Sequence, residues 1–233
     1  MPDAIEMVCL ANSEKHGDRC VAGVRLDTGG WLRPVSDDTG AGLLESQYET
    51  VSGHHPEPLD TVRVKLDHQW PKYHQPENWV ISSESWELID TELHDRAILA
   101  INAALQREGT ILHDTAHAIP KRELTNTPVF RSLTLISPTE PTFYVREKDD
   151  GTIQPRTAFE FDGHEYDLPI TDPTWRQQAR TAGVGSLPSE EIVSDHEEIL
   201  FTISLGEASD ENKMCYKIVA AVFSLQASHL IGF

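Results

Sequence analysis

The chain has 233 residues, 39% of them hydrophobic, which suits one large globular domain or two small ones. Its 38 acidic residues against 19 basic ones give a net charge of −19, which on its face argues against the basic footprint that a phosphate backbone requires. No apolar run reaches bilayer length, the opening MPDAIEMVCL lacks the basic region of a secretory signal, and three scattered cysteines make no disulfide framework, so no membrane role and a reducing cytoplasm are expected.

The acids are spread along nearly the whole chain rather than gathered in a tail, and Lys is scarce. That dispersal reads as a halophile-type surface kept soluble in high salt, in which case net charge says little about the ligand.

The first section, Met7 to Ser36, reads as an antiparallel meander. Two apolar runs, Met7 to Leu10 and Cys20 to Leu26, flank a polar turn over Asn12 to Asp18. A second turn at Asp27-Thr28-Gly29-Gly30 leads to a third run, Trp31 to Val35. Leu43 to Val51 is a short helix or an irregular crossing, and Ser52 to Asp60 is loop. Thr61 to Leu66 alternates as a half-buried strand does, and the prolines of His68 to Ile81 make a shaped loop ending in a short strand.

Apolar residues at Leu93, Ala97, Ile98, Ile101 and Leu105 predict an amphipathic helix over Asp90 to Glu108, capped by Asp90 or Thr91 and ended by Gly109. The second half opens with Ser132 to Ile136 and Thr142 to Lys148. Ala158 to Phe161 and His164 to Ile170, joined by Asp162-Gly163, follow as a hairpin. A helix is expected from Pro173 to Ala182 with Asp172 as its cap, then two strands, Ile199 to Leu205 and Met214 to Leu225.

The stretches CLANSEKHGDRCVAGVRLDTGGWLRPVS and HQPENWVI, with ISLGE and YKIVAAVF near the end, resemble the dual OB-fold domain proteins, prokaryotic proteins built of two oligonucleotide-binding-type barrels. The resemblance spans Cys9 to Phe223. It implies a mainly β fold of two OB-like antiparallel barrels in tandem, joined by the amphipathic helix, with residues 1–118 and 119–233 as the two domains. It also implies a nucleic-acid-binding accessory role in DNA processing or defence. Short antiparallel strands with Gly-rich turns suit small Greek-key barrels on their own account.

Single strands are held by stacking bases on aromatics while cations take the phosphates. Three of the five tryptophans lie in Trp70 to Trp86. The tryptophans serve equally well as barrel core or cap, so Tyr73 and His74 in the proline loop, with Trp31, are the stacking candidates. Lys15 and Arg33 are expected on phosphates, and Asn12, Ser13, Gln75 and Asn78 on hydrogen bonds to bases. Tyr216 and Lys217 would extend the surface on the second barrel. The expected partner is nucleic acid, single-stranded or locally opened, whether DNA or RNA.

His113 and His117 would share one face if helical, yet no third ligand is fixed, so neither a metal nor a cofactor is expected. No phosphate-cradling Gly motif occurs, and no catalytic residue is assigned. Two alternatives stay open: a protein-interaction module docking on a nuclease or helicase, and a small-molecule or nucleotide-processing enzyme built around Cys9, Ser13 and Lys15.

Overall fold

The computed structural model describes residues 3–15, 17–187 and 196–231. It divides into two compact units, residues 1–104 with 130–132, and residues 105–129 with 133–233.

In the first unit the chain runs through β1 (Asp3–Lys15), β2 (Asp18–Arg25), β3 (Trp31–Val35), α1 (Glu45–Tyr48), β4 (Thr61–Gln69), β5 (Asn78–Ile81), β6 (Glu87–Asp90) and α2 (Asp95–Ala104). The strand order is β1-β2-β3-β5-β4, and β4 returns to pair with β1, so five strands close into a barrel with β6 added alongside β4. Within it β3 and β5 run parallel, with Arg33 opposite Asn78 and Val35 opposite Val80. This is a Greek-key barrel of the OB kind.

Closure depends on β1, which pairs with β2 on one side and with β4 on the other. It bends at a bulge between Cys9 and Ala11, where β2 offers Gly23 as the partner of Cys9. A Cβ on Gly23 would stand 2.2 Å from the carbonyl oxygen of Val8, so only glycine admits this approach. Ile5, Met7, Cys9, Val21, Leu32, Val62, Val64, Leu66, Ile81 and Trp86 fill the interior, with Trp79 packed against them.

The outer face is covered as well. Alternation along β1 and β2 turns Val8, Ala22 and Val24 outward, yet all three are buried. Helix α2 packs on β1 and β2 and buries Ala97, Ala100, Ile101 and Ala104, a stripe of mostly small side chains that lets the helix lie close. The helix is shorter than its apolar spacing predicts. Asp90 ends β6, the His94 ring accepts the Ala97 N–H at 3.2 Å as the cap, and Leu105 leaves the helix to enter the next strand. The predicted first turn is also much tighter. Asn12 to Lys15 continue β1, paired in turn with Val21, Cys20, Arg19 and Asp18, because ladder hydrogen bonds override the turn preference of Asn and Ser.

The second unit holds β7 (Leu105–Gln106), β8 (Ala118–Pro120), α3 (Lys121–Asn126), β9 (Leu133–Ile136), β10 (Thr139–Glu147), β11 (Ile153–Phe161), β12 (His164–Pro169), α4 (Pro173–Ala182), β13 (Gly185–Leu187), β14 (Glu197–Ala208) and β15 (Met214–Gln226). One sheet has the order β7-β9-β14-β15-β8, the other β12-β11-β10-β13. The β11–β12 turn takes Asp162 and Gly163 at φ 47° and 74°, as a two-residue hairpin of the primed type requires. Asp172 caps α4 by accepting the Thr174 N–H at 2.9 Å, with Pro173 at the first helical position. Trp175 of α4 stacks on Phe143 at 4.2 Å, and Phe201 meets Phe143 and Phe159 edge-on, giving this unit an aromatic core. No helix among the described residues is long and apolar enough to cross a membrane.

Gly23→Ala is expected to destabilise the first unit by about 2–3 kcal/mol, since backbone rather than a mobile side chain stands in the way. Its melting transition, followed by circular dichroism, should fall by roughly 9–13 °C; an unchanged transition would show that β1 can move aside.

Candidate functional site

OB barrels take their ligands on the face of the second and third strands and on the loops after the first and fourth. In the first unit these are β2–β3, the connection from β1 to β2 at Gly17, and the loop from Trp70 to Glu77. The last folds into a small hairpin in which Lys72 and Gln75 exchange backbone hydrogen bonds at 3.0 and 3.1 Å, placing Tyr73 and His74 at the tip. Their rings lie 4.5 Å apart. The Lys72 ammonium donates to the Thr39 carbonyl, and His68 Nε2 meets Asp38 at 2.7 Å, so the loop and the strand leading into it are tied to the segment after β3. Hydrogen bonds donated to the Asp67 and Asp38 carboxylates hold the His68 imidazole pKa above its ordinary value.

Beneath the loop lies a buried polar assembly. The Glu77 carboxylate accepts the Ser132 N–H at 2.5 Å and the Ser132 hydroxyl at 2.8 Å. Arg33 donates through Nη2 to the same hydroxyl oxygen at 3.0 Å, and the Arg33 N–H donates to the Glu77 carbonyl at 3.0 Å. The segment Phe130–Ser132 is thereby fixed at the junction of β3 and the loop. Arg131 places its guanidinium carbon 5.3 Å from the centre of the Phe130 ring. Burial draws that guanidinium below its usual range, and the charge of Glu77 opposes the shift.

Several sequence expectations change on this geometry. Arg33, expected on a phosphate, is 6% exposed and serves the Glu77–Ser132 assembly. His74, expected to stack on a base, and Gln75 and Asn78, expected at base edges, are buried, and Asn78 Nδ2 donates to Gln75 Oε1 at 3.4 Å to brace the loop from inside. Ser13 is buried with its hydroxyl donating to the Cys20 carbonyl at 3.4 Å. Asn12 is half-buried and donates through Nδ2 to the Pro56 carbonyl at 2.9 Å. Tyr73 and Trp31 keep part of their surface in solvent, and so does Trp70 at 38% exposure. Lys15 ends the β1 ladder opposite Asp18, and its side chain lies outside the described residues, as does His16.

On the second unit, adjacent positions of β15 face opposite ways. Tyr216 is half-exposed, accepts the Asn212 side-chain amide at 2.6 Å and lies 6.1 Å from the His117 ring. Lys217 is wholly buried. Its ammonium donates to the Asp114 carboxylate at 2.8 Å and to the Asp114 carbonyl at 2.5 Å, so it is not available to a phosphate. Burial pulls its pKa down from the ordinary lysine value, against the pull of Asp114.

The chemistry imagined around Cys9 has no support from this geometry. The thiol is fully buried in the barrel, and burial pushes its pKa up to about 12, so it carries almost no thiolate at neutral pH. His113 and His117 lie outside any helix, and His113 pairs with Glu123 at 2.7 Å. Among the described residues no group of three His, Cys, Asp or Glu is placed to hold a metal ion.

What sequence reading missed is the pairing of Glu77 with a serine 55 positions further on, and with it the aromatic and the arginine that precede that serine. The signal in the sequence is the Val129-Phe130-Arg131 step between Pro128 and the strand that opens at Leu133, and nothing local ties it to the Trp70–Glu77 loop.

Two substitutions test the buried polar groups. Glu77→Ala removes both acceptors of Ser132 and should cost about 1–3 kcal/mol. It should also open the Arg131–Ser132 bond to trypsin, and equal cleavage rates in the variant and the wild type would contradict the clamp. In the second unit, Asp114→Ala leaves the buried ammonium without its counter-charge. Because Asp114 is itself partly exposed, the loss should be about 1–3 kcal/mol, whereas Lys217→Met should leave the melting temperature near that of the wild type.

Among families of known proteins, the model of a dual OB-containing domain matches residues 5–222. No curated protein matches the chain. Solved structures similar to it include a murine DNA-binding protein bound with double-stranded DNA, at 10% identity over 97% of this chain and 100% of that one, with a TM-score of 0.32. Another is the tetrameric p202 HIN2, at 12% identity over 97% and 91%, with a TM-score of 0.28. Likenesses this distant carry no structural or functional inference. The family match covers nearly the whole length and agrees with the barrel topology, and the chain belongs to the dual OB-containing domain family.

Proposed function

We propose that the protein binds nucleic acid, as a single strand or a locally opened duplex, along the rim of its first barrel. The observation that carries the reading is the closed OB barrel, whose loop after β4 is braced from inside and presents Tyr73 at its tip. A rigid loop with a half-exposed ring is suited to base stacking, which is tolerant of sequence because every base has a π-face.

The covered outer face shapes how this works. Val8, Ala22 and Val24 lie buried on the β1–β2 side, and Arg33 of β3 is held under Ser132. The strand therefore meets the loop and the outer edge of β3, where Trp31, Trp70 and Tyr73 keep solvent-exposed surface. Cations nearby are engaged within the fold: Arg25 with Asp27 at 2.7 Å, Lys72 with the Thr39 carbonyl, Lys65 with Glu84. Stacking, rather than neutralisation of phosphates, supplies most of the affinity.

Cys9, Cys20 and Cys215, none of them in a disulfide, suit the reducing cytoplasm expected from the sequence, and the net charge of −19 suits a halophile-type surface. Exposed Leu44 and Val51, which flank α1, supply apolar surface for a protein partner in a DNA-processing or defence assembly.

The test is fluorescence anisotropy with labelled single-stranded and double-stranded oligonucleotides of one sequence. The single strand should bind more tightly, and Tyr73→Ala should weaken it by about 1–2 kcal/mol, or roughly 5–30-fold. A protein that binds neither oligonucleotide is not a nucleic-acid-binding protein of this kind.

A further inference from the structure

Phe130 is 86% exposed, the most solvent-facing large hydrophobic side chain among the described residues. An aromatic ring left in water is unfavourable unless something covers it. It does not sit on a slack connection. The next residue but one, Ser132, is buried and bound through both its N–H and its hydroxyl to Glu77, with Arg33 donating to the same hydroxyl. The ring is therefore held out from a fixed backbone, which removes much of the ordering cost of binding. Its position is set by the same bonds. Glu77 closes the loop that follows β4 and takes the Arg33 N–H of β3, so Phe130 and Arg131 stand at the rim where OB barrels engage oligonucleotides.

Resting on the reading that the first barrel binds single strands, we propose that Phe130 and Arg131 form a base-stacking site. One nucleobase lies on the Phe130 face, and the Arg131 guanidinium takes the adjoining phosphate. Arginine beside an aromatic ring fits an anionic ligand with a π-face, because a planar guanidinium can lie against a ring and still donate hydrogen bonds in its own plane.

The experiment uses the full chain and two fluorescein-labelled probes of equal length, oligo-dT and an abasic oligomer with the same phosphates. Wild type should bind oligo-dT the more tightly. Phe130→Ala should weaken oligo-dT by roughly 5- to 30-fold and leave the abasic probe nearly unchanged, so that the preference collapses. Arg131→Ala should weaken both probes. Phe130→Trp should keep the affinity and show quenching of the new tryptophan, measured against the wild-type signal. Because Phe130 is exposed, unchanged melting temperatures should confirm that the variants fold. If wild type binds oligo-dT and Phe130→Ala binds it equally well, this site is overturned, the nucleic-acid reading stands, and Phe130 passes to a protein surface. If wild type binds neither probe, the nucleic-acid reading falls and this site falls with it.

Discussion

The first unit depends on one strand serving two neighbours. β1 must pair with β2 along one edge and with β4 along the other, and it can do so only by bending. The bend is made by an extra residue at the bulge and by the absence of a side chain on Gly23, over which the Val8 carbonyl passes. Closure leaves the barrel without the open strand edges on which sheets aggregate. It also brings the outward side chains Val8, Ala22 and Val24 onto one apolar face, which requires cover. The alanine-rich side of α2 provides it, and burying Ile101 there contributes about 2 kcal/mol.

The same geometry accounts for a polar interior in an otherwise apolar fold. Outward positions of β3 and β5 bring Arg33 and Asn78 side by side, and covering them with chain leaves a guanidinium and an amide away from water. Glu77 and Ser132 answer that need for Arg33 with charge-assisted hydrogen bonds. Such a cluster is costly to disrupt in part, because each group left alone would be a buried polar group without a partner. Its by-product is a fixed ledge on which Phe130 and Arg131 stand. Structure and site are therefore one problem here: the hydrogen bonds that complete the barrel's outer layer also position the surface assigned to the ligand.

Local chemistry made much of this fold legible. Asp162-Gly163 is a hairpin in the sequence and in the structure, and Asp172-Pro173 opens a helix over the residues its spacing implies. The burial of Lys217 was also within reach, since Cys215, Lys217 and Val219 alternate on the inward face of β15. Arg33 is different. β3 is covered on both faces, so alternation carries no information there, and its partner Ser132 lies 99 positions away. Asn12 and Ser13 mislead for the opposite reason, being turn-forming residues held in a ladder whose register is set by the strand opposite. The start of α2 is missed because Asp90, a good cap in isolation, is already committed to β6.

A protein of net charge −19 that binds nucleic acid must do so against long-range repulsion, with most nearby cations already engaged in internal pairs. Few counterions would then be released on binding, and added salt would screen the repulsion. The most direct measurement is the slope of log K against log salt for a single-stranded oligonucleotide, from dilute buffer to molar KCl. A slope near zero or positive is expected for a rim that holds bases by stacking. A slope of about −3 or steeper, equivalent to neutralising four or more phosphates, would contradict it and require a basic track elsewhere on the molecule.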